Sequence, residues 1–265
     1  MMELAPNIEL LFTEAGESYA DRIRAAHQAG FTAVEMWGPT GKDFPARPKD
    51  IDALKAALDE TGVRIVAQLA EPRTNYTTPP KDLGAFFVGL DAGVEIAHRL
   101  GVPRIVLGCG AGFAGSSRQH QLDELIDVFS RAVERTEGSG VTLVVEPVNT
   151  RVDHPGSLLD FTEDAVHVAR QVDSDRFGIL YDLYHSTAQG EDPAREISAA
   201  AETIKYVQIA DFPGRGEPGS GAIDWATRLS EMVAVGYQGP IGLEYFPTIE
   251  SVASTRFISE LSERF

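Results

Sequence analysis

One pattern repeats along the whole chain: a short apolar or β-branched run, a loop and an amphipathic helix, recurring about every thirty residues. The runs predict eight strands, at residues 7–12, 33–36, 64–69, 104–107, 141–145, 177–181, 204–207 and 240–243. The predicted helices cover 18–29, 50–60, a segment ending at 100, 119–137, 158–172, a segment from 193, 225–235 and the last residues. Eight such units are the number that closes a parallel barrel. The sequence therefore predicts an α/β fold, a single (β/α)8 TIM barrel, with residues 1–265 as one domain.

The connections differ on the two sides of the predicted barrel. Turns from helix to strand are short, whereas long loops rich in glycine and proline follow the strands at 71–83, 108–118, 147–157 and 211–221. Barrels of this kind carry their active sites on the loops that follow the strands. An open doubly wound sheet is the alternative, because alternation alone does not show closure. No glycine-rich nucleotide-binding fingerprint follows the first strand, which favours the barrel.

Charge and cysteine usage exclude several classes of partner. The net charge of -17 argues against nucleic acid, whose phosphates need a basic surface, and against anionic membranes. The single cysteine, Cys109, allows no internal disulfide, is expected to be a buried structural thiol, and indicates a reducing, cytoplasmic location. No secretory signal and no apolar run of membrane-spanning length is visible. A small-molecule substrate is the predicted partner.

Four predicted strands in the second half of the chain run into an oxygen-bearing side chain, namely Glu146, Asp182, Gln208 and Glu244. If these strands are parallel neighbours, the four side chains meet at one edge of the sheet. Three carboxylates crowded there repel each other unless a divalent cation lies between them. An all-oxygen set suits Mg²⁺ or Mn²⁺ better than Zn²⁺. We therefore predict a magnesium or manganese site at these four residues.

Two of these carboxylates also suit proton transfer. Glu146 and Glu244 are candidates for an acid–base pair acting at a carbon next to a carbonyl. The cation would polarise that carbonyl and stabilise the enediolate formed when the proton leaves, so no organic cofactor is needed.

Other candidate residues lie near the same strand ends. His185, three residues after Asp182, is a candidate donor to a substrate oxygen, with a packed structural histidine as the alternative. Arg215 lies in a glycine-rich loop and is suited to bind a substrate hydroxyl or carboxylate, with Glu217 as its expected ion-pair partner. Trp37 and Phe12 end their strands and are predicted to wall the pocket. His154 is the other histidine expected near the site.

Several of these segments together resemble a known family. The matching segments are Val145-Glu146-Pro147-Val148-Asn149, Asp153-His154-Pro155-Gly156, Tyr181-Asp182-Leu183-Tyr184-His185, Val207-Gln208-Ile209-Ala210, Pro213-Gly214-Arg215-Gly216-Glu217-Pro218 and Gly242-Leu243-Glu244-Tyr245. They are similar to the hydroxypyruvate isomerases, which belong to the xylose isomerase-like barrels together with 2-oxo-tetronate isomerases and ketose 3-epimerases. The similarity extends over nearly the whole chain.

The resemblance implies a role for each matching residue. It implies metal ligation by Glu146, Asp182, Gln208 and Glu244, with Glu146 and Glu244 as the acid–base pair. It implies that His185 and Arg215 contact substrate oxygens, and that the protein is a homodimer or homotetramer of carbohydrate metabolism. Trp37 is a further candidate substrate contact, from its position at a strand end. The chain departs from the family in loops that follow strands, at residues 71–76, 108–112, 215–218 and 221–224. These departures leave the substrate open.

The leading hypothesis is a metal-dependent isomerase of the aldose–ketose type, acting on hydroxypyruvate, a 2-oxo-tetronate or a short ketose. A ketose 3-epimerase is the first alternative, since the same carboxylates on opposite faces of one carbon would invert it. A lyase or deglycosylation component, an endonuclease IV-like phosphodiesterase and a binding protein without catalysis are further alternatives. The phosphodiesterase hypothesis is disfavoured by the negative charge and by Gln208 where such a zinc site needs histidine.

Overall fold

The architecture is an eight-stranded parallel barrel, seen in a computed structural model that describes residues 2–39, 48–70, 76 and 83–265. The strands pair in the order β1-β8-β7-β6-β5-β4-β3-β2. Their bounds are β1 Leu4–Pro6, β2 Ala33–Met36, β3 Arg64–Leu69, β4 Arg104–Leu107, β5 Thr142–Val145, β6 Phe177–Asp182, β7 Ile204–Ile209 and β8 Ile241–Leu243. The predicted TIM barrel is confirmed.

Helices follow the strands in chain order. Their bounds are α1 Tyr19–Gln28, α2 Ile51–Thr61, α3 Leu83–Leu100, α4 Arg118–Arg135, α5 Thr162–Val172, α6 Leu183–Gln189, α7 Pro193–Ala200, α8 Trp225–Ala234 and α9 Ser251–Ser262. Side-chain caps fix several helix starts: Ser18, Asp50 and Ser117 each accept a hydrogen bond from the backbone N–H three residues on. In the part of the chain that the structure describes, no helix combines the length and apolarity needed to cross a membrane.

The first and second strands meet at the seam that closes the barrel. Asn7 forms an isolated parallel bridge with Glu35, and the backbone N–H of Ile8 donates to the carbonyl of Glu35 at 3.0 Å. The first strand is Leu4–Pro6, so the prediction of a strand at 7–12 was wrong. Residues 7–12 are a bridge and a buried turn, in which the N–H groups of Leu10 and Leu11 return to the carbonyl of Asn7.

Two apolar layers hold the barrel together. A small inner cluster fills the barrel, formed by Ala5, Ala33, Val66, Ala67, Val106, Val144, Leu180 and Tyr206. A larger cluster lies between the sheet and the surrounding helices. Because side chains alternate along a strand, the strands contribute to both layers. The inner layer ends below the carboxyl ends of the strands, where polar side chains begin.

Candidate active site

A cavity of about 530 Å³ opens at the carboxyl ends of the strands, as expected for this fold. Six of the predicted site residues line it: Trp37, Glu146, His185, Gln208, Arg215 and Glu244. The seventh, Asp182, is not among the lining residues, but its Oδ2 lies 3.7 Å from Nε2 of the lining residue His185. Residues that are far apart in the sequence thus lie close together at the carboxyl ends of the strands.

Strand register places the four predicted ligands at the ends of four neighbouring strands, and two of them cluster with His185. Asp182 and Gln208 are direct neighbours across β6 and β7, and Gln208 pairs with Gly242 on β8, two residues before Glu244. Glu146 follows β5, the strand on the other side of β6. Oxygens of Glu146 and Asp182 and a ring nitrogen of His185 lie within 4.8 Å of one another.

Two of these side chains bury an oxygen that no described residue hydrogen-bonds. Asp182 accepts from the N–H of Tyr184 through Oδ1 and thereby caps α6, but its Oδ2 has no partner among the described residues. Gln208 donates through its amide nitrogen, but its Oε1 is likewise unpartnered within the described ranges. Leaving such atoms buried costs about 1–3 kcal/mol each. A divalent cation between them would satisfy both oxygens, so the donor set fits Mg²⁺ or Mn²⁺.

The carboxylate of Glu244 is held by donors from two sides. Trp37 Nε1 donates to its Oε1 at 2.7 Å, and Arg215 Nη2 donates to its Oε2, also at 2.7 Å. Asn7 adds a longer contact of 3.4 Å to Oε1. A carboxylate has about four acceptor positions, so these contacts fix its orientation and leave lone pairs for a cation or a substrate proton.

The hydrogen bonds of Asn149 determine which nitrogen of His185 carries the proton. Asn149 Oδ1 accepts from the N–H groups of Val152 and Asp153, so its amide nitrogen faces His185 Nδ1 at 2.7 Å. The backbone N–H of Asn149 also donates to Nδ1, at 3.3 Å. Because Nδ1 accepts, the proton of the neutral ring lies on Nε2, 3.7 Å from Glu146 Oε1. His185 is therefore arranged as a donor rather than as a metal ligand.

Burial and Arg215 shape the ionisation of the site. Burial raises the pKa of Asp182 to about 7, although the charge of Arg215 opposes this shift. Burial, Arg215 and His154 lower the pKa of His185 well below its ordinary value, which keeps the ring neutral. Burial lowers the pKa of Arg215, but Glu244, Asp182 and Glu146 raise it by more. Among the described residues, the site thus combines the permanent positive charge of Arg215 with several carboxylates.

Two buried carboxylates hold the loop that carries Arg215. Asp211 accepts from the backbone N–H groups of Phe212, Gly219 and Ile223 and from the Trp225 indole. Glu217 accepts from the N–H and hydroxyl of Thr248 and so joins this loop to the one after β8. The expected ion pair between Glu217 and Arg215 was therefore wrong, because Arg215 pairs with Glu244.

Glu35 on β2 is a site residue that the sequence predictions missed. It lines the cavity and accepts from Asn7 Nδ2 at 3.0 Å, from the Tyr206 hydroxyl at 2.5 Å and from Gln208 Nε2 at 2.9 and 3.0 Å. Burial and the charge of Glu244 raise its pKa to about 8, against the effect of these hydrogen bonds. An acidic residue between Val34 and Met36 in a buried strand was the available signal.

A fully buried ion pair supports the backbone of Trp37. Lys49 Nζ lies 2.6 Å from Glu9 Oε1, and both side chains are inaccessible to solvent. Glu9 accepts from the N–H of Trp37, and Lys49 donates to the carbonyls of Trp37 and Gly38. The indole is therefore anchored at its own peptide groups while its Nε1 reaches Glu244.

The remaining candidates fall into two groups. His154 and Cys109 line the cavity, and Cys109 is half-buried rather than buried as expected. Phe12 does not line the cavity as predicted, because its buried ring packs against Phe31 at a centroid distance of 6.0 Å. Of the divergent loop at 71–83, residues 71–75 and 77–82 lie outside the described residues, and Tyr76 packs against Phe86 and Phe129.

Comparison with known proteins gives a consistent family. A family model described as xylose isomerase-like TIM barrel matches residues 23–261. A putative hydroxypyruvate isomerase of Streptomyces coelicolor is 32% identical, over 91% of this chain and 89% of the relative. A 2-oxo-tetronate isomerase of Haemophilus influenzae is 28% identical, over 95% and 96% of the two chains.

Solved structures share the same architecture. A Brucella melitensis structure described as an AP endonuclease of family 2 superposes with a TM-score of 0.86 at 25% identity, covering 98% of this chain and 99% of that chain. A 3-keto-D-glucoside 4-epimerase from E. coli gives a TM-score of 0.83 at 19% identity, covering 98% and 100%. At 19% identity the second likeness concerns the fold alone.

Proposed function

This chain belongs to the hydroxypyruvate isomerases within the xylose isomerase-like TIM barrels and is an isomerase, and from this we propose that it moves the carbonyl group of a small 2-oxo-hydroxy acid to the neighbouring hydroxyl-bearing carbon with the help of a divalent cation. Hydroxypyruvate and 2-oxo-tetronates, which the relatives' names contain, are the proposed substrates. The observation that carries the proposal is the pair of buried oxygens without a partner among the described residues, Asp182 Oδ2 and Gln208 Oε1, between two glutamates.

The proposed cation ligands are Glu146, Asp182, Gln208 and Glu244. When bound, Mg²⁺ or Mn²⁺ would polarise the substrate carbonyl and lower the cost of removing the neighbouring proton. No organic cofactor enters the proposal. We also propose a cytoplasmic location, on the evidence of the single cysteine.

Two glutamates move the proton in this proposal. One takes it from the hydroxyl-bearing carbon next to the carbonyl, and the resulting enediolate then receives a proton at the former carbonyl carbon. The hydroxyl proton passes to the former carbonyl oxygen, so that the carbonyl group has moved by one carbon. Glu244 is fixed for this task by Trp37 and Arg215, while Glu146 lies on the opposite side of β6 beside His185. The pair can thus approach a substrate from two sides.

Two further residues hold the substrate in the proposal. His185 Nε2–H points toward Glu146 and Asp182 from 3.7 Å, which is too long for a direct hydrogen bond and leaves room for a substrate hydroxyl to accept it. Arg215 Nε is buried and meets no acceptor in the described part of the chain, so it is the proposed donor to a substrate carboxylate oxygen. Trp37 shields the site from water.

Deuterium exchange tests the reaction type. The enzyme would be incubated in D₂O with Mg²⁺ and a panel of hydroxypyruvate, 2-oxo-tetronates and short ketoses, and the products examined by NMR. We expect deuterium at the carbon next to the carbonyl together with carbonyl migration, and loss of both in Glu244→Gln and after chelation. Inversion of a carbon without carbonyl migration would identify an epimerase, and no exchange with any compound would contradict the proposal.

A further inference from the structure

Two of the four proposed cation ligands, Gln208 and Glu244, are contacted by a group of buried side chains that has Glu35 at its centre. We infer that Glu35 is a positioning residue, which fixes the amide of Gln208 with its oxygen toward the cation and its nitrogen away from it. This inference rests on the proposed metal-dependent function and adds to it a residue from the opposite half of the barrel.

The contacts of Glu35 leave the Gln208 amide one favourable orientation. The amide nitrogen lies 2.9 Å from Glu35 Oε1 and 3.0 Å from Oε2, and the amide oxygen is buried with no partner among the described residues. Turning the amide over would place its oxygen against two carboxylate oxygens and its N–H₂ group in the cation site. An amide nitrogen has no lone pair available for a metal, so only the observed orientation can bind a cation.

The orientation does not depend on whether Glu35 carries a proton. A proton on Oε2 would point to the Tyr206 hydroxyl, 2.5 Å away, and Oε1 would remain an acceptor. Oε1 receives both the Gln208 amide and the Asn7 amide, the latter at 3.0 Å. The neighbouring donors therefore hold the carboxyl group in place in either state.

Strand β8 provides the space that this arrangement needs. Gly242 pairs with Gln208 across the sheet, and a Cβ at position 242 would overlap Glu35 Oε2 and come within 2.7 Å of the Tyr206 hydroxyl. A side chain at this position would displace the carboxyl group from Gln208. The absence of a side chain at Gly242 is thus what allows the Glu35 carboxyl group to reach Gln208.

The substitution Glu35→Gln tests the inference directly. The amide introduced at position 35 would offer one acceptor oxygen to three donors, and its own N–H₂ group would favour turning the Gln208 amide over. We expect Glu35→Gln to weaken Mn²⁺ binding about 10- to 100-fold, the range found when groups that orient metal ligands are changed. Free Mn²⁺ would be measured by EPR, and the melting temperature of the metal-free protein recorded in parallel.

A double-mutant cycle separates orientation from general damage. In Glu35→Gln/Gln208→Glu the carboxylate introduced at position 208 accepts from the amide introduced at position 35 with one oxygen and offers the other to the cation. We expect the double variant to bind Mn²⁺ about tenfold tighter than the product of the fold-changes in affinity of the two single variants predicts. Glu35→Asp, which withdraws the carboxylate by one methylene, serves if Glu35→Gln does not fold, and should also weaken binding about tenfold.

Two controls make the outcome unambiguous. Tyr206→Phe removes another donor to the same carboxylate but keeps both Gln208 contacts, and Ile258→Ala destabilises the outer layer far from the site. Both should change Mn²⁺ affinity by about threefold or less. Glu35→Gln within threefold of the wild type, or no weaker than Ile258→Ala, would overturn the inference alone. A wild type that binds no Mn²⁺ would overturn the metal-dependent function and the inference with it.

Discussion

The two halves of the barrel mouth both contain buried charged side chains, but these differ in whether their polar atoms have partners within the protein. On the β1–β4 side, Glu9 and Lys49 pair with each other out of contact with solvent and do not line the cavity. On the β5–β8 side, Asp182 and Arg215 each keep a buried polar atom that no described residue satisfies. A buried charge that is paired within the protein supports the fold, whereas buried polar atoms that lack a partner at a cavity are candidates for ligand contacts. We call the β1–β4 side the supporting half of the barrel and the β5–β8 side, with the proposed cation ligands, the reacting half.

The largest effect is expected for a carboxylate of the reacting half. Glu146→Gln keeps the size of the side chain but removes the base and a proposed cation ligand, so turnover should fall by roughly 10⁴-fold. Glu260→Gln, the same change at an exposed position of α9, is the matched control and should leave turnover unchanged. Steady-state kinetics measure both. Substantial activity in Glu146→Gln would contradict the assignment of the reacting half.

In the supporting half, the expected loss is one of stability. Lys49→Met leaves Glu9 buried without its cation, which should lower the free energy of unfolding by about 3–5 kcal/mol. Lys55→Met breaks the exposed ion pair with Asp59 and should cost less than about 1 kcal/mol. Urea denaturation measures both free energies of unfolding. Equal losses would show that the buried ion pair contributes no more to stability than the exposed one.

The pH dependence of stability sharpens the comparison further. The pKa values of Asp182 and Glu35 are raised in the folded protein, to about 7 and about 8, above those of the unfolded chain. The folded state therefore binds more protons, and its stability falls as the pH rises through these values. Without metal, we expect a loss of about 2 kcal/mol between about pH 6.5 and 8. His185 acts in the opposite direction, but only below about pH 6.5.

Denaturation series at several pH values test this expectation. Asp182→Asn removes the titrating group with the lower pKa and should reduce the fall by about a third. A stability that is constant or rises over this window would show that neither carboxyl group keeps its proton in the folded protein.

The smallest effect is expected where the supporting half touches the reacting half. Trp37→Phe keeps an aromatic wall but removes the N–H that donates to Glu244 Oε1. We expect kcat to fall about tenfold, the value of roughly one hydrogen bond, with little change in stability. An unchanged kcat would show that Arg215 alone orients Glu244, and a shift in KM alone would make Trp37 a substrate contact.

Much of the fold could be predicted from the sequence, because apolar runs and the turn residues that flank them indicated the same strands. Strands at 33–36, 64–69 and 104–107 were predicted with their observed bounds, each being a short, mainly apolar run between turns. The first strand was misplaced because Ile8, Leu10 and Leu11 are apolar for another reason: they are buried in a turn. Helix α6 was missed because seven residues show too little periodicity for a prediction.

The cavity was predictable in part for the same reason. Residues at strand ends could be found because parallel strands bring their ends to one edge. Glu35 and Asn149 could not be given roles, since their importance lies in contacts with Gln208 and His185, residues far away in the chain. Hydrogen-bond partners of this kind depend on tertiary packing, which one sequence does not display.

The seam between the first two strands has a consequence for how the molecule is assembled. Asn7 and Glu35 close the barrel through their backbones, and the same two side chains reach Glu244 and Gln208. A chain in which this seam has opened therefore loses contacts that orient two of the proposed ligands. Any cation that binds the closed form better would oppose opening of the seam by mass action. Binding of a cation at the proposed site would then indicate that strands β1 and β2 are paired and the barrel is closed.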